Sequence, residues 1–284
     1  MIRSLKKLAV CILCLSLSVA ILSSCSQNSG EKVLLISIDG LRSDAVENTE
    51  YGNYLLQNSA YSLNVSTVYP SVTLPCHMSM FYSVTPDEHG VTENSYTPKD
   101  SLGMGITEAL NASGKSSAMF YNWGKIKNVT TERSVKTKFL DGEVFGWEET
   151  NKTLGNAAIN HISYAPTDFT FLYLGFLDEW GHRYGWLSDE YYYALDKSFE
   201  IVDTVLNVAN RNGYTVIIIS DHGGNGFGHG SDSPEDMTIP LFIIGEDFTP
   251  GENLGALSIL DVAPTVLELL EVIPPEYWQG KAIE

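Results

Sequence analysis

Cysteine is scarce in this 284-residue chain, and three of the four stand near its beginning, at Cys11, Cys14 and Cys25. Cys76 is the one left in the body of the chain, so no disulfide can close within that body. Its stability has to come from packing and bound ions. Basic residues are scarce too: 17 Lys and Arg stand against 35 Asp and Glu, a formal charge of −18. That balance excludes a basic groove for nucleic acid, whose affinity rests on neutralising phosphates. The acidic field also repels anions at long range, so an anionic substrate needs local cations to hold it. Repeats, low-complexity tracts and linkers are missing between residues 31 and 284, which read as one domain. Apolar residues make up 44% of the chain, enough for a sizeable core.

Arg3, Lys6 and Lys7 precede an apolar run from Leu8 to about Leu22, which closes in Leu22-Ser23-Ser24-Cys25. Basic, then apolar, then small residues is the layout of a secretory signal peptide. The run is short for a full membrane span. Leu-Ser-Ser-Cys resembles the bacterial lipoprotein box. By that resemblance residues 1–24 are a lipoprotein signal peptide, Cys25 is the acylated mature N-terminus, and residues 25–30 are a short tether. The expectation is an exported protein, held to a bacterial membrane by its N-terminal lipid and facing away from the cytoplasm. Loss of the leader makes the remainder three charges more acidic.

Beyond the tether, strand and helix signals alternate. Lys32–Ile38 is a continuous apolar run opening into Asp39-Gly40, and reads as a buried strand. Phe169–Leu177 reads the same way and ends at Asp178. Thr215–Ile219 ends at Ser220-Asp221-His222, and Ile239–Ile244 is a fourth run. Ser117–Phe120 adds another. Ser188–Asn210 places Tyr192, Leu195, Phe199, Val202 and Leu206 at helical spacing and stops at Asn212-Gly213. The Tyr191-Tyr192-Tyr193 stretch reads as a helix face against the sheet. A last helix starts near Asp261, carries Pro264 in its first turn and runs to Glu271. Buried strands alternating with amphipathic helices predict an α/β fold, with a mostly parallel central sheet covered on both faces.

Three apolar runs thus end in aspartate, at Asp39, Asp178 and Asp221, and in open parallel sheets that edge is where ligands bind. One such aspartate is readily a helix cap. Three, two of them beside histidines, read as a site. Asp178-Glu-Trp-Gly-His182 sets a carboxylate and an imidazole four residues apart, and Asp221-His222 sets them side by side. His229 follows in the glycine-rich loop 223–230. Carboxylate oxygens with neutral imidazoles suit zinc, manganese or iron, and the absence of thiolates argues against a closed structural zinc site.

Ile38-Asp-Gly-Leu-Arg42, Pro70-Ser-Val-Thr-Leu-Pro-Cys-His77, Asp178-Glu-Trp-Gly-His-Arg-Tyr-Gly185 and Ser220-Asp-His-Gly223, in this order, resemble the motifs of the type I phosphodiesterase/nucleotide pyrophosphatase branch of the alkaline phosphatase superfamily. The resemblance runs from about Lys32 to the C-terminus. It implies a phosphoric ester hydrolase with two divalent metal ions, zinc by preference. One metal would be held by Asp178, His182 and His229, the other by Asp39, Thr73, Asp221 and His222. Thr73, in a turn next to Pro75, would be the nucleophile that attacks phosphorus in line, giving a phosphothreonine.

Two departures bear on the substrate. Many members carry asparagine where Cys76 stands, and a thiol is a weaker donor. Its role then falls to backbone N–H groups near Thr73 or to a residue not identified from the sequence. A sulfatase reading of Cys76 fails, because the proline and arginine that its motif needs are missing from Cys76-His-Met-Ser-Met80. Only six residues separate His222 from His229, where larger members have a long insertion, so a compact and open pocket is expected. Tyr121, Asn122, Trp123 and Tyr184 are candidates to orient a small phosphate-ester substrate, with Trp186 beside them. His77 and His89 read as structural, and His161 has no inferable partner. Phosphodiesterase, phosphomonoesterase and phosphonate hydrolase activities fit the same core. A non-catalytic metal- or phosphate-binding surface lipoprotein is the alternative of another class.

Overall fold

The computed structural model describes residues 31–95 and 103–284. The leader, Cys25 and the tether lie outside the described residues. Eight strands form one sheet: β1 Lys32–Ile38, β2 Ala60–Ser66, β3 Ser117–Tyr121, β4 Lys136–Phe139, β5 Phe169–Leu174, β6 Tyr214–Ile219, β7 Thr238–Ile244 and β8 Ala256–Ser258. Their order is β4-β3-β5-β1-β6-β7-β2-β8. From β4 to β6 every pairing is parallel; β7 runs antiparallel to both β6 and β2, and β8 is parallel to β2. The mostly parallel α/β sheet read from the sequence is the observed one.

Strand periodicity sends alternate side chains to opposite faces. Val33 and Leu35 join Phe169, Phe171, Ile217 and Ile219 in one core layer, under Leu74, Met78, Phe81 and Val266 of the helices Thr73–Tyr82 and Val262–Leu269. Leu34, Ile36 and Ile38 join Leu172, Leu174 and Ile218 in the other, under Leu154, Leu195, Phe199 and Val202 of the helices Trp147–Tyr164 and Asp189–Arg211. Ser188 caps the last of these, its Oγ accepting from Tyr191 N at 3.1 Å. Removing the Phe199 ring from this layer would cost ~3–5 kcal/mol, the range for a large buried side chain.

Three readings are corrected. The apolar run from Phe169 is not one strand: β5 stops at Leu174, and Phe176–Tyr184 is a helix. Phe176 and Leu177 are buried as core residues of that helix, so apolarity alone could not mark the boundary at Gly175. Thr73 is not in an isolated turn but is the first residue of the helix Thr73–Tyr82, where Pro75 is tolerated because first-turn N–H groups lack helical partners. Of the three tyrosines, Tyr191 is buried while Tyr193 is 47% exposed, since neighbours on a helix point about 100° apart. The final helix is Val262–Leu269, preceded by a 3-10 turn at Ile259–Asp261. Among the described residues, no helix is long and apolar enough to cross a membrane.

Candidate active site

β5, β1 and β6 are parallel neighbours, so the segments leaving their carboxyl ends converge. Asp39 follows β1 and Asp221 lies two residues beyond β6. The helix after β5 carries Asp178 in its first turn and His182 one turn later, on the same face. Gly40 makes this convergence possible: it has φ +72°, and a Cβ there would meet Asp178 Cα at 3.1 Å. Gly40 N donates to Asp221 Oδ1 at 3.2 Å, tying the β1 loop to the β6 loop.

Asp178, His222 and His229 form one cluster of close ligand atoms and Asp39, Asp221 and His222 a second, with His182 beside the first. In the first, His182 Nε2 lies 3.5 Å from Asp178 Oδ2, His229 Nε2 lies 3.6 Å from Asp178 Oδ1, and the two Nε2 atoms are 3.1 Å apart. In the second, His222 Nε2 lies 3.2 Å from Asp39 Oδ1, 3.3 Å from Asp221 Oδ2 and 3.2 Å from Thr73 Oγ1. His222 and His229 stack at 3.7 Å between ring centroids, which joins the groups into one centre.

All three imidazoles are turned the same way. His182 Nδ1 contacts the Phe227 carbonyl at 3.0 Å, His222 Nδ1 the Gly223 carbonyl at 2.8 Å, and His229 Nδ1 the Ser71 carbonyl at 2.8 Å. A carbonyl only accepts, so each Nδ1 carries a proton, and Nε2 is the ring atom turned to the centre. Asp39 Oδ1, Asp178 Oδ1 and Asp221 Oδ2 are buried and make no hydrogen bond. Buried carboxylate oxygens gathered with imidazole Nε2 atoms form a donor set suited to divalent cations.

The electrostatics point the same way. Burial, and then the charge of Asp221, raises the Asp39 carboxyl above its usual range. Asp178 is raised further by burial and by Asp39. Asp221 is held low despite its burial by His222 and His77. Burial pulls His222 down, but Asp221 and Asp39 more than offset it and push it up to about 10. His229 is lowered to about 3 by burial and by its stacked neighbour His222. Excess negative charge around the second group thus draws in positive charge, and a metal ion satisfies that demand without protonating a ligand.

Around these groups stands a supporting layer of which only His77 lies within a sequence motif. Tyr173 Oη, buried in β5, donates to Asp39 Oδ2. His77 Nδ1 donates to the Thr73 carbonyl at 2.8 Å and lies 3.3 Å from Asp221 Oδ2, while its Nε2 meets Ser37 Oγ at 2.9 Å. His77 is structural as expected, and its partners are the site itself. Trp186 Nε1 and Tyr191 Oη both donate to the Gly40 carbonyl, at 2.9 Å each. Asn94 Oδ1 accepts from Leu74 N at 2.9 Å, immediately after Thr73.

Among the pocket candidates, Tyr121 is buried at the end of β3 and stacks on Phe139. Asn122 has its amide committed: Nδ2 donates to Thr150 Oγ1 and Asn151 Oδ1, and Oδ1 accepts from Gly175 N at 3.1 Å. It thereby anchors the start of the Asp178 helix. Trp123 packs, half-buried, against the first core layer. Tyr184 is 37% exposed, with the Arg183 guanidinium 5.3 Å from its ring. Cys76 is buried, its Sγ 3.8 Å from the Val68 and Pro70 carbonyls, and burial pushes the thiol up. His89 joins Ser79 Oγ to Val91 N, and His161 does have a partner, Thr167 Oγ1 at 3.0 Å.

A mostly parallel sheet with two carboxylate–imidazole groups at its carboxyl edge is the arrangement of the alkaline phosphatase superfamily. Within it, residues 33–230 match the sequence profile of type I phosphodiesterase/nucleotide pyrophosphatase, and the chain belongs to that family. Rat ectonucleotide pyrophosphatase/phosphodiesterase family member 1 is 28% identical over 219 residues, 67% of this chain and 24% of the rat protein. The chain therefore spans about a quarter of that relative's length. The fold is shared with murine ectonucleotide pyrophosphatase/phosphodiesterase 5 at a TM-score of 0.75 and 16% identity, covering 88% of this chain and 98% of the murine one. It is also shared with a phosphonate monoester hydrolase from Silicibacter pomeroyi, at a TM-score of 0.67 and 14% identity over 89% of this chain and 76% of that one.

Proposed function

We propose that the protein is a two-metal phosphodiesterase whose nucleophile is Thr73. The observation that carries this reading is the Thr73 hydroxyl 3.2 Å from His222 Nε2, inside the Asp39–Asp221–His222 group and at the start of a ten-residue helix. Asp178, His182 and His229 would hold one cation and Asp39, Thr73, Asp221 and His222 the other, with zinc preferred by resemblance. Bound there, two divalent cations supply the positive charge that favours a threonine alkoxide and offsets charge on phosphoryl oxygens.

The chain does the rest. Thr73 Oγ1 forms a bond to phosphorus as the bond to the leaving-group oxygen breaks, giving a phosphothreonine. Water then attacks that phosphorus, inorganic or monoester phosphate departs, and the threonine oxygen regains a proton. The N-terminus of the Thr73–Tyr82 helix favours the negative charge that gathers at Thr73 throughout. His77 holds the Thr73 carbonyl and so fixes the first turn on which the hydroxyl stands. Leu74 N is engaged by Asn94 and Pro75 has no N–H, which leaves few backbone donors at the nucleophile. Asn94, rather than residue 76, then supplies the amide for a phosphoryl oxygen: its Oδ1 is fixed by Leu74, and its Nδ2 has no hydrogen bond among the described residues.

One structural neighbour supports the reading. A complex of the murine protein with AMP is of a threonine-to-alanine form described as inactive. The presence of phosphonate monoester hydrolases among the fold neighbours keeps that chemistry as the second reading. Export and anchoring through acylated Cys25 complete the proposal, with labelling by a radioactive fatty acid that Cys25→Ala abolishes as its check.

Turnover of bis-p-nitrophenyl phosphate, p-nitrophenyl phosphate and phenylphosphonate monoester by zinc-loaded protein tests the substrate class. The diester is expected to have the highest kcat/KM, and chelation should abolish all three activities. Faster monoester turnover would replace the diesterase reading with a phosphatase one.

A further inference from the structure

The loop from Gly223 to Gly230 carries His229, yet five of its eight residues are glycine. Glycine leaves the backbone free to take many conformations, so an imidazole there has to be held from outside. The tip of the loop is tied to the segment after β5: Trp186 N donates to the Gly226 carbonyl at 2.8 Å, and His182 Nδ1 to the Phe227 carbonyl at 3.0 Å. The two ends are tied elsewhere, and both lead to Asp236. At the first end, Gly223 N donates to the Asp236 carbonyl at 2.9 Å. A Cβ on Gly223 would meet the Glu235 carbonyl at 1.9 Å, so the two backbones lie in direct contact. Past the far end, Ser231 N and Ser231 Oγ both donate to Asp236 Oδ2, at 2.9 and 2.7 Å. The Ser231 carbonyl accepts from Ser71 Oγ at 2.6 Å, and the Ser71 carbonyl holds His229 Nδ1 at 2.8 Å. Ser71 stands two residues before Thr73.

Asp236 is 2% exposed, and its second carboxylate oxygen, Oδ1, makes no hydrogen bond among the described residues. A buried carboxylate with one bare oxygen is costly. The short helix Pro234–Met237 does not require it, because the cap there is Ser233, whose Oγ accepts from Asp236 N. Both bonds of the Asp236 side chain go to Ser231 instead.

We infer that Asp236 is a positioning residue that, through Ser231 and Ser71, fixes His229 for one of the two metal ions and sets its loop against the Thr73 turn. The inference rests on the two-metal reading above. Truncating the side chain frees the His229 end of the loop, whereas the Gly223 bond is made by the backbone and stays. The damage therefore falls on the ion held by His229 rather than on the Asp39–Asp221–His222 group.

Zinc affinities of the full-length protein, measured by competition with a chromogenic chelator, test this without turnover. Asp236→Ala is expected to weaken one of the two zinc ions roughly 10- to 100-fold, the usual cost of losing support for a ligand. It should be the same ion that His182→Ala weakens, with the other close to the parent's affinity. Asp236→Asn keeps an oxygen for Ser231 and should recover most of the loss. Turnover of bis-p-nitrophenyl phosphate by Asp236→Ala should rise toward the parent's as zinc is added, which damage to the fold alone would not allow. Equal weakening of both ions overturns the proposal, and so does an Asp236→Asn variant as weak as the alanine one. Should Asp236→Ala fail to fold, Ser71→Ala removes a single hydroxyl from the same link: selective weakening of that ion supports the proposal, and unchanged affinity for both overturns it. A parent that loads two ions and shows the selective loss in its variants, but cleaves no ester, would refute the hydrolase reading and leave the positioning role standing.

Discussion

His77 Nδ1 donates to the carbonyl oxygen of Thr73 at 2.8 Å, one helical turn back along the same chain, while sitting 3.3 Å from Asp221 Oδ2. One buried imidazole therefore touches both the nucleophile's backbone and a ligand of the second group. On the other side its Nε2 is fixed by Ser37 of β1. This makes His77 a positioning residue. His77→Gln should lower kcat roughly 10- to 100-fold, the usual cost of disturbing groups that support metal ligands. KM for a diester should change much less than kcat. Equal losses in kcat and in metal content would show that His77 only stabilises the fold.

Tyr173 offers a cleaner probe of the same layer. Its hydroxyl is the donor to Asp39 Oδ2, and both side chains are buried. Tyr173→Phe removes one oxygen and leaves that carboxylate oxygen unpartnered, a costly state in a dry site. Metal affinity, read by competition with a chromogenic chelator, should drop by about one to two orders of magnitude. Unchanged affinity would mean that Asp39 is held by its metal and its loop alone.

Asn94 and Cys76 can be separated directly. If Asn94 supplies the amide donor at Thr73, Asn94→Ala should reduce kcat about 10²- to 10³-fold, the range for losing one donor to a developing oxyanion. Cys76→Ser, whose hydroxyl would face the same Val68 and Pro70 carbonyls, should leave kcat within a few fold. The reverse ranking would return the role to position 76.

Much of this site could be read from the sequence, and the reason is local. Asp178 and His182 are one helical turn apart, Asp221 and His222 are adjacent, and each pair follows an apolar run that forms a strand. Those short-range patterns marked the carboxylate–imidazole pairs and the sheet, while the sorting into two ligand sets rests on the family resemblance. The supporting layer has no such pattern. Tyr173 looks like any other residue of a buried strand, and Asn94 lies twenty positions beyond the Leu74 amide it meets. The β5 boundary was hidden because Phe176 and Leu177 continue the apolar run while changing from strand to helix. Edge strand β4, Lys136–Phe139, is exposed along its whole length and carries two lysines, so it offers no hydrophobic alternation to read.

Gly40 is the position where backbone and site meet. At φ +72°, with Asp178 3.1 Å from any added Cβ, alanine is strained twice over. Gly40→Ala should destabilise the protein by about 1–3 kcal/mol and lower metal occupancy, both measurable by chemical denaturation and metal analysis. A stable, fully loaded variant would contradict the packing described.

His89 gives a pH signature away from the metals. Burial lowers it from 6.5 to about 4, and its Nδ1 accepts from Val91 N, so protonation breaks that bond. The folded state therefore binds fewer protons than the unfolded state between those values. Its contribution to stability is complete above pH 6.5 and is lost as pH falls toward 4. In chelator-treated protein, thermal midpoints should fall across this window, with a shallower slope for His89→Gln. Equal slopes would remove His89 from the account.

The central claim is that Thr73 attacks phosphorus. Thr73→Ala, assayed on bis-p-nitrophenyl phosphate with metal content measured on the same sample, tests it most directly. Turnover should fall by about three orders of magnitude or more, with most of the metal retained by the remaining ligands. Turnover equal to the parent's at the same metal content would contradict it.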